Sequence, residues 1–144
     1  MGILADFFVA TPDDALKYAA PGSFQDAALK LRVAPAEYKS FTTVEIGTLW
    51  AILANEEWSV AKHDLIDESL EGEEESWLFR FPPALVELLA AATDKELSLA
   101  NAKWATTEEL NCAPSDLLPV TLDLQRLAKT SVATGNPMYL WGSL

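Results

Sequence analysis

The sequence predicts a single α+β domain, mainly helical, with a small sheet that includes the N-terminal and C-terminal strands. Three observations lead there. A compact apolar run, Ile3 to Ala10, passes straight into Thr-Pro-Asp-Asp, the junction of a buried strand with a helix start. At the other end, Gly135-Asn136-Pro137 stops a helix, and the Tyr139-Leu140-Trp141 that follows is too apolar for a loose tail. It is expected to pair beside Ile3 to Ala10. Between the two, Phe81 to Trp104 reads as the central helical layer, entered through Pro82 and Pro83 and carried by Leu85, Leu88, Leu89 and Ala92 at helical spacing.

The intervening elements follow from local signals. Thr11 is placed to cap a first helix, with Asp13 and Asp14 on the favourable end of its dipole and Pro21-Gly22 as its stop. Alternation of Leu29, Leu31 and Val33 with polar neighbours favours a short strand ending at Pro35. Thr42 and Glu45 form a capping box for a helix running to about Asn55, with Ile46, Leu49, Trp50 and Leu53 on one face. Gly47 inside it costs roughly 1 kcal/mol relative to Ala, and it reads equally as a site of close packing by another element or as a merely tolerated glycine. Trp77 to Phe81 reads as a strand, Thr93 to Glu96 as a fresh cap within the central stretch, and Val120 to Ala133 as a last helix preceded by one turn at Ser115-Asp116.

Composition bounds the function. With 144 residues, half of them hydrophobic and five of them Trp, the chain can bury a core, and the disordered class is excluded. Twenty-two carboxylates against ten Lys and Arg give a net charge of -12, which repels nucleic acid and anionic membranes. No apolar run reaches the length of a membrane span, since Glu87 interrupts the most apolar helix. One cysteine, Cys112, cannot close an internal disulfide, so a cytoplasmic location is expected.

The charge is concentrated. Of the twenty residues from Glu56 to Glu75, nine are acidic and Lys62 is the sole strong base, a net -8 in one stretch. Such runs stay solvated, so a mobile acidic loop is expected at about 62–76. Asp64, Asp67, Glu68 and Glu71 would share one face if the piece were helical, a set able to hold a divalent ion, although the EF-hand spacing is absent. Core packing accounts for most of the tryptophans, with Trp58 and Trp77 the two expected to be partly exposed. An aromatic beside carboxylates suits a basic partner, giving Trp58, Asp64, Asp67, Glu68, Glu71, Glu73, Glu74, Glu75 and Trp77 as the candidate partner-binding residues.

Catalytic signatures are absent. His63, beside Lys62 and Asp64, reads as a surface residue, and one His with one Cys cannot assemble a patterned zinc site. Cys112 falls at a helix end, where the dipole does not activate a thiol. There is no Gly-x-Ser-x-Gly elbow and no glycine-rich phosphate loop, so no catalytic residue, metal or cofactor is assigned. The chain resembles, in general character only, small bacterial single-domain proteins and immunity-type binders. The expected function is non-enzymatic binding of a basic protein through residues 56–75, with no nucleic acid and no membrane as partner and room for a homodimer at the last strand. The alternative is a divalent-metal-dependent or small-ligand enzyme built on the same carboxylates.

Overall fold

A computed structural model describes residues 3–19, 35–69 and 75–144, and it is an α+β domain. In chain order the elements are β1 (Leu4–Val9), α1 (Pro12–Ala19), β2 (Ala36–Lys39), α2 (Thr43–Ala54), β3 (Ile66–Asp67), β4 (Ser76–Arg80), α3 (Pro83–Ala91), α4 (Asp94–Ala105), α5 (Pro114–Thr134) and β5 (Met138–Ser143). The strands form one antiparallel sheet in the order β2-β1-β5-β4-β3. As expected, the first and last strands are neighbours, with Leu4 opposite Ser143 and Val9 opposite Met138.

Side-chain alternation splits the core across this sheet. Ala5, Phe7, Met138 and Leu140 face a layer made by α2, α3, α4 and α5. Phe8, Leu78 and Tyr139 face the other way and pack with Tyr18 of α1. Buried polar groups fasten the helical layer at defined points. The Trp104 indole N–H donates to the Glu45 carbonyl at 2.9 Å, tying α4 to the start of α2. Gln125 on α5 donates from one amide nitrogen to the carbonyls of Leu89 and Ala92, at 3.1 and 2.9 Å, and so satisfies the end of α3. Tyr38 on β2 donates to Asp123 at 2.6 Å, and burial, with that hydrogen bond second, pushes its phenol up to about 12.

The local signals explain most boundaries. Thr42 and Glu45 form their capping box, and Thr93 with Glu96 forms a second one, which divides the central stretch into α3 and α4. Two expectations differ from the structure. The last helix is continuous from Pro114, because Pro119 loses one backbone bond near the helix start while Leu117, Val120 and Leu124 stay buried along the same side. The strand expected around Leu29 to Val33 lies outside the described residues; the one that pairs with β1 starts just after Pro35, at Ala36. Its Ala-Glu-Tyr-Lys does alternate, but four residues are too few for period alone to single out.

Candidate functional site

The acidic segment begins where α2 ends. Asn55 takes a left-handed conformation at φ 56°, and Glu56 N–H reaches back to the Ala51 carbonyl at 2.9 Å, turning the chain onto α2. The Ser59 carbonyl accepts from the N–H groups of Lys62 and His63, at 3.2 and 2.8 Å, while Ser59 N–H donates to His63 Nδ1 at 3.0 Å. This loop is pinned against the helix. His63 is 2% exposed, and its ring meets Trp50 edge to face, 5.4 Å between centroids. Its carbonyl oxygen sits where a Cβ on Gly47 would overlap it, and the Trp58 indole nitrogen lies 3.3 Å from the same point. Gly47 is therefore the close-packing glycine of the sequence, and His63 is a buried residue. That corrects the surface reading of His63: its polar neighbours in sequence hid the apolar wall that Trp50 and Gly47 provide.

The loop exposes apolar side chains next to carboxylates. Trp58 is 45% and Val60 67% exposed, between the exposed carboxylates Glu56 and Glu57 on one side and Asp64 on the other. Glu56 is in addition ion-paired with Lys62.

A second neighbourhood is built on β3 and β4. Asp64 accepts from the Leu65 N–H at 2.9 Å, and Leu65 is buried in the core. Asp67 accepts from the Ser69 N–H at 2.9 Å; that backbone bond, then the Ser69 hydroxyl, holds its carboxyl below the usual range. Glu68 pairs with Arg80 at 3.1 Å. Burial, then the charge of Glu68, raises the nearby Tyr139 phenol, with Arg80 opposing. Residues 64–68 are not helical, with Ile66–Asp67 in β3, so Asp64, Asp67 and Glu68 do not share a helix face. The condition for the i, i+3, i+4, i+7 cation set, a helix through this piece, is not met at Asp64, Asp67 and Glu68: β3 pairs with Phe79 and Arg80, and like charges on one face would destabilise a helix there. Among the described residues no three or more His, Cys, Asp or Glu side chains come together as a metal site. Glu71, Glu73 and Glu74 lie outside the described residues. Glu75 is exposed, its carbonyl accepting from the Leu144 N–H at 2.9 Å. Trp77 is half-buried, its indole laid over Gly142 on β5, where no side chain would fit.

No known family, curated protein or solved structure matches the chain. Function has to be read from its own geometry. One buried group escaped the sequence altogether. Asp6, opposite Glu37 and Trp141 in the sheet, is 4% exposed and accepts from the Tyr18 hydroxyl at 2.6 Å. Burial raises its pKa against that hydrogen bond, and Glu37 adds to the rise. No periodicity marks it, since an Asp within an apolar run reads only as an interruption. Cys112 is exposed, and among the described residues no helix is long and apolar enough to cross a membrane.

Proposed function

We propose that this chain is a non-enzymatic, immunity-like binding protein of the cytoplasm that docks on a basic surface of another protein through residues 56–75. One observation carries the reading: the most acidic stretch of the chain holds an exposed Trp58 and Val60 on a loop already fixed by its own hydrogen bonds. Aromatic anchors ringed by polar groups dominate binding energy in protein interfaces, and a loop ordered before binding loses less entropy on association. The surrounding carboxylates then steer a cationic partner, an effect that salt weakens. Glu71, Glu73, Glu74 and Glu75 extend the same charge along the sequence.

The test is affinity capture from a lysate of the source organism, followed by binding of the purified partner. Wild type is compared with Trp58→Ala and with Glu71, Glu73, Glu74 and Glu75 changed together to Gln. A basic protein should be retained by wild type, lose about 30-fold or more in affinity to Trp58→Ala as expected for a hot spot, and bind the Gln variant more weakly at low salt. Equal recovery by all three proteins would reject the proposal.

A further inference from the structure

We infer that His63 makes the 56–63 loop proton-sensitive, so that the docking surface proposed above is remodelled when the imidazole takes up a second proton. Because Nδ1 accepts from the Ser59 N–H at 3.0 Å, the neutral ring carries its proton on Nε2. That Nε2–H is buried with no hydrogen-bond acceptor, and the Glu56 carboxylate stands 3.9 Å away, too far for such a bond. The arrangement is satisfied on one side only. A second proton at Nδ1 would set two donors face to face across the Ser59 contact. That bond must break, and the imidazolium is drawn towards Glu56.

The charged surroundings are few. Among the described residues, Glu56 faces the ring, with Lys62 bound to its other oxygen; α2 contributes Gly47 and Trp50, which do not titrate; the Asp64 carboxylate is turned onto the Leu65 N–H. The Ser59 contact closes the turn that carries Val60, and Trp58 directly precedes it. Losing it leaves the turn closed only by the Lys62 and His63 N–H bonds to the Ser59 carbonyl, so the Ser59 amide and the neighbouring Trp58 and Val60 change their positions on the loop.

The regulatory role rests on the docking proposal, whereas its test needs no partner, so the two fail separately. On the purified protein, the Ser59 amide, the Trp58 indole N–H and the His63 ring signals are followed by nuclear magnetic resonance from pH 8 to pH 5. The Ser59 and Trp58 signals should move with the midpoint of the His63 ring, and the ring nitrogen shifts at pH 8 should show Nδ1 as the unprotonated atom. His63→Asn, whose side-chain oxygen can accept from Ser59 but does not titrate, should flatten both movements. A ring that titrates while Ser59 stays still, a ring that remains neutral to pH 5, the other tautomer at pH 8, or movement that persists in His63→Asn would each overturn the inference. The wild-type titration and tautomer decide the matter even if the variant fails to fold.

Discussion

Gly47 shows how a single missing side chain positions the candidate site. In a helix, alanine is favoured over glycine by about 1 kcal/mol, so propensity alone would make Gly47→Ala stabilising. Here the added Cβ meets a backbone carbonyl, that of His63, which cannot swing aside as a flexible side chain would. Gly47→Ala is expected to lower stability by about 1–3 kcal/mol in chemical denaturation, the usual cost of overpacking, and to shift the Trp58 indole signal. The sequence raised both possibilities for this glycine, close packing and mere tolerance. Only the fold supplies the neighbour that decides between them. The same holds for His63, whose burial comes from residues thirteen and sixteen positions earlier in the chain, Trp50 and Gly47. Trp58 was legible sooner, because an aromatic set among carboxylates has little apolar surface nearby in sequence to bury it.

Among the elements, α3 depends on α5 for its ending. Its last turn has no C-terminal glycine, and Gln125 supplies the donors that the Leu89 and Ala92 carbonyls lack. Gln125→Leu would keep the volume but leave those carbonyls without that donor. A loss of about 1–3 kcal/mol is expected from the unpaired buried groups, read as a lower denaturation midpoint with an unchanged slope. Gain of stability would show that the two bonds contribute nothing net. Capping boxes at Thr42 and Thr93 could be read directly from sequence because each is a local pattern over four residues. Gln125 could not, since its partners lie more than thirty residues away. The strand at Ile66–Asp67 was hidden for a related reason: what holds β3 is pairing with β4, which helical spacing does not encode.

Across the whole molecule, the two ends of the chain meet in the middle of the sheet, and β5 is paired on both sides, by β1 and by β4. That much was visible in two apolar runs at opposite termini, because neither could remain in water. The order of the other strands was not, as β2 and β3 are four and two residues long. Against this framework the 56–63 loop is the decisive region: it opens the acidic stretch 56–75, and the fold pins it to α2. The most direct measurement is amide hydrogen exchange, resolved by residue, on the unbound protein at neutral pH. The N–H groups of Ser59, Lys62 and His63 should exchange slowly, closer to those of α2 than to an open loop, with β1 and β5 slowest of all. Exchange at the unprotected rate at these three positions, while β1 and β5 remain protected, would contradict the pinned loop and with it the ready-made presentation of Trp58.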